Sequence, residues 1–243
     1  VSSVGDVNGD GFADIVLSAL DNMYVIFGSS SGSAVSFDGT TYLVVASSGM
    51  NLAGLSGFSS TSAGDVNGDG LADLIVGSSI ESAAYVIYGT SNGAAVDLST
   101  GSIAQSLGFK ITGEASKNFG VNSSAGDVNG DGLADLIVMA TPPNSKSRSY
   151  VVFGKSDMST IELSAVTAGT GGFFIDLRMA SSAGDVNGDG LADLIVSDKY
   201  GSSSFVVFGQ TGTGRIDLSA VAAGDGGFQI KSTPVMLAAT TDL

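Results

Sequence analysis

The chain has 243 residues, with 24 acidic and 9 basic side chains and a formal net charge of −15. This charge argues against nucleic acid as a partner, because phosphate backbones are held mainly by lysine and arginine. The sequence contains no cysteine and no histidine. Disulfides, a thiol nucleophile, an imidazole base and zinc sites built from nitrogen or sulfur ligands are therefore excluded.

One nine-residue string, Asp-Val-Asn-Gly-Asp-Gly-x-Ala-Asp, occurs four times, at residues 6–14, 65–73, 127–135 and 185–193. Positions 1, 3 and 5 offer side-chain oxygens, position 7 a backbone carbonyl and position 9 a carboxylate, a set of hard oxygen donors that Ca²⁺ prefers. Glycines at positions 4 and 6 permit positive φ, so the backbone wraps tightly around an ion. The predicted ligands of up to four Ca²⁺ are Asp6, Asn8, Asp10, the carbonyl of Phe12 and Asp14; Asp65, Asn67, Asp69, the carbonyl of Leu71 and Asp73; Asp127, Asn129, Asp131, the carbonyl of Leu133 and Asp135; and Asp185, Asn187, Asp189, the carbonyl of Leu191 and Asp193.

Besides a calcium loop, the string could form a simple hairpin turn or an EF-hand loop. Asn-Gly between alternating segments is typical of a tight hairpin turn, but a turn does not need three aspartates, whose like charges repel one another without a cation. An EF-hand loop begins in the same way but carries Glu at position 12, between two helices. Position 12 is here occupied by Leu17, Val76, Val138 and Val196. These residues lie in β-branched runs that favour strands, so the string predicts a calcium loop within a β-hairpin.

The first aspartates of the four strings lie 59, 62 and 58 residues apart, and each period holds four short strand patterns. In the second period the predicted strands are Phe58–Ala63, Leu71–Val76, Tyr85–Tyr88 and Phe109–Thr112. Equivalent third strands are predicted at Tyr24–Phe27, Tyr150–Phe153 and Phe205–Phe208, and fourth strands at Phe173–Ile175 and Phe228–Ile230. The predicted fold class is all-β, with four propeller-type blades of four antiparallel strands each. The chain is read as one domain with repeats at approximately residues 1–56, 57–113, 114–176 and 177–243.

The third period carries a resemblance to a known family. Its matching residues are Asn118-Phe119-Gly120, the run from Ser124 to Gly132, Asp135-Leu136-Ile137-Val138 and Tyr150-Val151-Val152-Phe153-Gly154. They resemble the FG-GAP repeats of the integrin α-subunit propeller and of many bacterial surface proteins. The linking pieces at residues 161–166 and 216–221 are similar to those of tandem integrin-like arrays in large secreted bacterial proteins. The resemblance implies a calcium-binding propeller with an adhesive or structural role.

Aromatic residues recur in the predicted third strands, at Tyr85, Tyr88, Tyr150, Phe153, Phe205 and Phe208. They could stack against sugars, as in propeller lectins, but their repeated place in a strand favours packing between neighbouring blades. Tryptophan, the usual sugar platform, is absent from the sequence. We therefore expect these side chains in the core.

The sequence as a whole predicts a non-enzymatic, calcium-binding repeat domain that serves cell-surface adhesion or structural assembly. The expected partner is a protein or glycan ligand on a cell surface, or further repeats that assemble with the chain. An extracellular or cell-surface location is expected, because loops of extracellular modules bind Ca²⁺ in the range of about 10⁻⁴ to 10⁻³ M and would be mostly empty at cytosolic calcium levels. Two alternatives stay open, a lectin-like glycan-binding propeller and an accessory domain of a secreted enzyme such as a polysaccharide lyase or a phospholipase.

The two ends of the sequence resemble each other loosely, since residues 237–243 align with the opening residues. We expect an excerpt of a longer array of blades, which is slightly favoured, a four-bladed ring closed by the two ends, or subunits that complete one another. Four blades lie at the lower end of the range of about four to eight that propellers use.

Overall fold

The structure, a computed structural model, describes residues 1–19, 22–31, 49–53, 58–78, 81–91, 96–113, 117–142, 144–177, 179–197 and 203–231. These residues form 19 strands, two short α-helices and one 3₁₀ turn at Gln105–Leu107. The strands lie in four sheets, one for each copy of the nine-residue string. Residues 237–243, which resemble the start of the chain in sequence, lie outside the described residues.

Each sheet contains four antiparallel strands that lie side by side, and we call these four sheets blades 1 to 4. Blade 1 has β1 Ser2–Gly5, β2 Asp14–Ala19, β3 Asn22–Ile26 and β4 Gly49–Ala53. Blade 2 has β5 Phe58–Gly64, β6 Asp73–Ser78, β7 Ala83–Ile87 and β9 Gly108–Thr112. Blade 3 has β10 Lys117–Gly126, β11 Asp135–Thr141, β12 Arg148–Val152 and β14 Gly172–Ile175. Blade 4 has β15 Met179–Gly184, β16 Asp193–Ser197, β17 Ser204–Val207 and β19 Gly227–Ile230.

These blades confirm the predicted fold class, and the predicted strands agree with the observed ones except at their ends. The largest difference concerns the second strand of blade 2, predicted from Leu71 but observed from Asp73. Leu71 and Ala72 belong to the loop, because the aspartate at position 9 is the first residue that pairs with the preceding strand, as Asp73 does with Gly64. The nine-residue string therefore connects the first and second strands of every blade.

Blades 1 to 3 each gain a fifth strand from the following repeat, which the sequence pattern did not predict. β8 Val96–Asp97 pairs in parallel with β4, β13 Ile161–Glu162 with β9, and β18 Gly214–Arg215 with β14. Two one-turn helices, α1 Leu163–Thr167 and α2 Leu218–Ala222, follow β13 and β18. The connection between the third and fourth strands of one blade thus covers the outer edge of the blade before it.

The core lies between the blades, because strand alternation sends side chains to both faces of each sheet. Ile75, Phe109 and Ile111 of blade 2 belong to one cluster with Leu136, Val138 and Tyr150 of blade 3. The same positions pack blade 1 against blade 2 and blade 3 against blade 4. The inner strands of blades 2 and 3 are therefore buried on both faces, which explains their continuous apolar runs in the sequence.

The aromatic residues of the third strands lie mostly in this core, as expected. Tyr85, Tyr88, Tyr150 and Phe205 are buried. Phe153 and Phe208 are half-buried at the strand ends, where each ring makes an edge-on contact with Phe173 or Phe228 of its own blade. These contacts are packing contacts between apolar rings, so they give no support to a sugar platform on the third strands.

The fourth strand of blades 2, 3 and 4 begins with a glycine, because the neighbouring backbone leaves no room for a side chain there. At Gly172 φ is +149°, and an added Cβ would lie 2.0 Å from the carbonyl oxygen of Val151. We expect Gly172→Ala to lower the free energy of unfolding by about 2–4 kcal/mol, because overpacking and backbone strain add. The matched control is Gly171→Ala, where φ is +70° but nothing lies within 4 Å of the added Cβ. Denaturant unfolding compares the two variants, and equal losses would contradict this account of the close approach.

Candidate metal loops

The aspartate at position 1 organises each loop by accepting backbone N–H groups. In the first loop Oδ1 of Asp6 accepts from Gly9 at 2.7 Å and Asp10 at 3.1 Å, and Oδ2 accepts from Gly11 at 2.8 Å. Gly9 and Gly11 have φ of +77° and +87°. Such values are readily adopted only without a Cβ, and they turn the N–H groups toward the carboxylate. The corresponding bonds recur in the other three loops with nearly the same lengths.

Positions 3, 5 and 7 form the tip of each loop, and the aspartate at position 5 is exposed in all four loops. In the first loop the side-chain amide of Asn8 donates to Asp10 at 2.9 Å, and the backbone N–H of Phe12 donates to the other oxygen of Asp10 at 2.9 Å. The equivalent side chains of the other loops make the same contacts. The side-chain oxygens at positions 1, 3 and 5 and the carbonyl at position 7 thus belong to one short, tightly turned segment.

The aspartate at position 9 is the buried member of the set. Asp14, Asp73, Asp135 and Asp193 are all 0% exposed. In the third loop Oδ2 of Asp135 accepts the N–H of Val128 and Oδ1 accepts the N–H of Gly154, both at 2.8 Å. Gly154 follows the third strand, whose end lies beside the start of the second strand, so this carboxylate ties the loop to the third strand of its own blade. The other three aspartates make the same pair of bonds.

Within the part of the chain that the structure describes, no loop aspartate forms an ion pair with a basic side chain. The pKa of Asp73 and of Asp135 is raised to about 7, mainly by burial. The charges of the loop aspartates at positions 1 and 5 contribute to this rise, and the backbone hydrogen bonds of each carboxylate oppose it. Burial also raises the pKa of Asp14. The ion pairs found among the described residues involve Glu81, Asp157 and Asp176, none of which belongs to a loop. Buried and clustered carboxylates of this kind are unfavourable without a positive partner.

Consecutive loops are joined to one another by backbone hydrogen bonds. The N–H of the alanine at position 8 donates to the carbonyl of the position-1 aspartate in the preceding loop. These bonds run from Ala72 to Asp6 at 2.9 Å, from Ala134 to Asp65 at 2.8 Å and from Ala192 to Asp127 at 2.8 Å. The backbone carbonyl of the position-1 aspartate thus joins two neighbouring blades, whereas the side chain of the same residue accepts hydrogen bonds within its own loop.

The predicted ligands of each loop lie in one segment, but their carboxylates do not converge. Within the described residues, which include all four loops, no three acidic side chains are close enough to share a metal ion. The donor set nevertheless fits calcium in its chemistry: it offers carboxylate, amide and carbonyl oxygens and neither nitrogen nor sulfur ligands. The residues that would hold the ion are those at positions 1, 3, 5, 7 and 9.

The sequence shows a glycine after each predicted third strand and an alanine at position 8 of each loop, but it did not reveal the part that either residue plays in the site. The first is the glycine after each third strand, Gly28, Gly89, Gly154 or Gly209, whose N–H binds the buried aspartate. A Cβ on Gly154 would lie 2.6 Å from the carbonyl oxygen of Ala134, so only glycine permits this approach to the loop. The second is the alanine at position 8, which bonds to the preceding loop. Both recur in every repeat, and that recurrence was the available signal.

Four sheets in a row, each with its nine-residue loop between the first and second strands, define a propeller-type repeat protein. Three successive segments, residues 6–76, 65–138 and 127–196, match the family of FG-GAP-like repeats, and residues 178–218 match the FG-GAP repeat. Each of the three longer matches begins at one loop and ends in the second strand of the next blade. The chain belongs to the FG-GAP repeat family.

Two curated relatives share part of the sequence. The human phosphatidylinositol-glycan-specific phospholipase D is 32% identical over 160 residues, and the bovine protein of the same name is 31% identical over 160 residues. Each match covers 59% of this chain and 18% of the relative. The shared region is thus less than a fifth of either enzyme.

Proposed function

We propose that this chain is a non-enzymatic, calcium-binding repeat domain that acts outside the cell or at its surface in adhesion or structural assembly. The observation that carries the proposal is the fourfold recurrence of one loop geometry with acidic side chains that form no ion pair within the described residues. Three aspartates in each of four loops account for half of the acidic residues of the chain. The like charges of these aspartates repel one another within each loop. Bound divalent cations would offset this repulsion.

Each residue of the loop has a distinct part in holding calcium. Bound Ca²⁺ would supply two positive charges and accept six to eight oxygen donors. The aspartate at position 1 is already oriented by three backbone N–H groups, and the buried aspartate at position 9 fixes the loop to the third strand. The side chains at positions 3 and 5 complete the donor set. The proposed role of the metal is structural, since it stiffens the loop where neighbouring blades are joined.

The extracellular location follows from the same chemistry. Calcium sites in extracellular modules have dissociation constants of about 10⁻⁴ to 10⁻³ M, and the free calcium that fills them is found outside cells. Among the described residues no helix is long and apolar enough to cross a membrane.

Retention of cells on a coated surface tests the adhesive role. We expect a surface coated with the chain to retain cells in about 1 mM calcium and to release them in a chelator, because loop order depends on the metal. The matched control carries alanine in place of Asp10, Asp69, Asp131 and Asp189, the four aspartates at position 5. Retention no greater than on an albumin-coated surface would contradict adhesion, and selective binding on a glycan array would favour the lectin alternative.

A second candidate function is a non-catalytic module of a larger enzyme, and the two relatives favour it. Both are named as phospholipases D, and the region they share with this chain is 18% of their length. We expect the isolated chain to show no cleavage of phosphatidylinositol-glycan, measured beside an active phospholipase of that specificity. Turnover by the isolated chain would overturn the non-enzymatic assignment.

A further inference from the structure

Tyr88, the residue that follows the third strand of blade 2, carries a buried hydroxyl group without a partner. Its side chain is 7% exposed, and within the described structure its hydroxyl makes no hydrogen bond. A buried donor of this kind is unfavourable unless a ligand or an ordered water accepts its hydrogen bond. The corresponding residues of the other repeats are Phe27, Phe153 and Phe208. The second repeat therefore has a polar group at a place where the other three have none.

The backbone beside Tyr88 is bonded to the second loop. The N–H of Gly89 donates to Oδ1 of Asp73 at 2.8 Å, and the N–H of Val66, at position 2 of the loop, donates to Oδ2 of the same carboxylate at 2.8 Å. The ring of Tyr88 belongs to the core cluster between blades 2 and 3, which also contains Val66. The hydroxyl is thus carried by a residue whose neighbour is fixed to the aspartate at position 9.

Blade 3 meets the second loop close to the same place. The N–H of Lys155 donates to the carbonyl of Val66 at 3.0 Å, and Nζ of Lys155 lies 4.9 Å from the ring centroid of Phe109. Phe109 in turn makes an edge-on contact with Tyr88, with ring centroids 6.1 Å apart. These contacts hold the two rings in a joint between the blades that is bonded to the second loop.

The charges that act on the Tyr88 hydroxyl are those of carboxylates. The pKa of Tyr88 is raised to about 12, mainly by burial and further by the charges of Asp73, Asp157 and Asp69. The phenol is therefore neutral near pH 7 and keeps its proton for donation. Asp157 already has a basic partner, because Nζ of Lys155 lies 3.0 Å from its Oδ1. Asp69 and Asp73 belong to the second loop and form no ion pair within the described residues, so a cation is expected on the loop side of the hydroxyl.

We propose that the hydroxyl of Tyr88 donates, through a water molecule, to the cation site of the second loop, and that this loop therefore binds calcium more tightly than the other three. Calcium takes six to eight oxygen ligands, whereas a loop offers five donor groups, so bidentate carboxylates or waters supply the rest. A protein donor that orients such a water strengthens metal binding. Phenylalanine at the same place in the other repeats provides no donor. The inference rests on the proposed calcium function and assigns one residue to one of its sites.

Calcium titration of variants that keep one intact loop is the test. One background keeps the second loop and carries alanine at Asp10, Asp131 and Asp189, and the other keeps the third loop and carries alanine at Asp10, Asp69 and Asp189. We expect the second loop to bind calcium about tenfold more tightly than the third, and Tyr88→Phe to remove this difference. Circular dichroism confirms that each variant is folded. If a background is not folded, Tyr88→Phe in the full chain should weaken one calcium equivalent and leave the others unchanged.

Thermal unfolding in chelator distinguishes a role toward the cation from a role in the fold. A buried hydroxyl without a partner adds nothing to stability, so Tyr88→Phe should unfold at the same temperature as its parent or at a higher one. Tyr85→Phe is the matched control, because the hydroxyl of Tyr85, on the third strand of the same blade, donates to Glu81. This control should lower the melting temperature and leave the dissociation constant of the second loop unchanged.

The possible results separate this inference from the proposed function. If Tyr88→Phe leaves the dissociation constant of the second loop unchanged, the inference is overturned and the calcium function stands. A lower melting temperature of Tyr88→Phe in chelator would also overturn the inference, because the hydroxyl would then have a partner within the fold. A wild-type chain that binds no calcium would overturn the proposed function and this inference with it.

Discussion

Removing calcium is expected to lower the melting temperature of the chain by roughly 20–40 °C. At free calcium of about 100 times the dissociation constant, one site stabilises the folded state by about 2.7 kcal/mol, so four independent sites contribute on the order of 11 kcal/mol. One kcal/mol corresponds to about 2–4 °C in a chain of this size. The physical reason is that the loop carboxylates repel one another when the ion is absent. Thermal unfolding followed by circular dichroism, in calcium and then in excess chelator, measures the shift.

Restoring calcium in excess over the chelator should return the melting temperature to its original value. The variant with alanine at all four position-5 aspartates serves as the control, and its melting temperature should respond much less to the chelator. A wild-type melting temperature that is the same with calcium and with chelator would contradict a structural role for the metal.

Replacing the buried aspartate of a loop should destabilise the fold even without calcium. Asp135→Ala removes the acceptor of two buried N–H groups, from Val128 and Gly154. Each unsatisfied buried donor costs about 1–3 kcal/mol. Part of this loss is offset because the substitution also removes a carboxylate whose burial is unfavourable, as its raised pKa indicates. We expect the free energy of unfolding to fall by about 2–4 kcal/mol in chelator, measured by urea denaturation.

Asp131→Ala, at the exposed tip of the same loop, is the matched comparison. Its side chain accepts bonds only from exposed groups of the loop, so in chelator we expect a loss below about 1 kcal/mol. In calcium the loss caused by Asp131→Ala should be larger, because this substitution should abolish the stabilisation that one bound ion supplies. Comparing the two variants thus distinguishes a residue that stabilises the blade from a residue that only binds the ion. Equal losses for both variants in chelator would contradict the assignment of position 9 to the fold.

The sequence predicted the loops and strands well because both are encoded locally. The nine-residue string contains its own turn residues, and the runs that follow Asp14, Asp73, Asp135 and Asp193 are apolar enough to be strands buried on two faces. The aromatic core positions were recognised by their recurrence in the third strands. The second strand of blade 2 was predicted to begin too early, at Leu71. The loop extends to its last aspartate, Asp73, because this residue is the first to pair with the preceding strand.

The features that the sequence did not predict depend on contacts between repeats. β13 is only two residues long, and Ile161 and Glu162 form a strand because the outer edge of β9 is open to them. α2 is a single turn whose start is fixed by the side chain of Asp217, which accepts the N–H of Ser219 at 2.9 Å. Segments this short carry no periodic signal of their own. The bond from Ala134 to Asp65 is likewise invisible in the sequence, since it joins two loops 62 residues apart.

The central claim, that the four loops are calcium sites, is tested most directly by calcium stoichiometry. Protein stripped with a chelator would be titrated with Ca²⁺ in a calorimeter, beside Asp131→Ala and the variant with alanine at all four position-5 aspartates. The account predicts four equivalents bound by the wild type, three by the single variant and none by the fourfold variant. A wild-type chain that binds no calcium at millimolar concentration would contradict the account and reduce the four strings to hairpin turns.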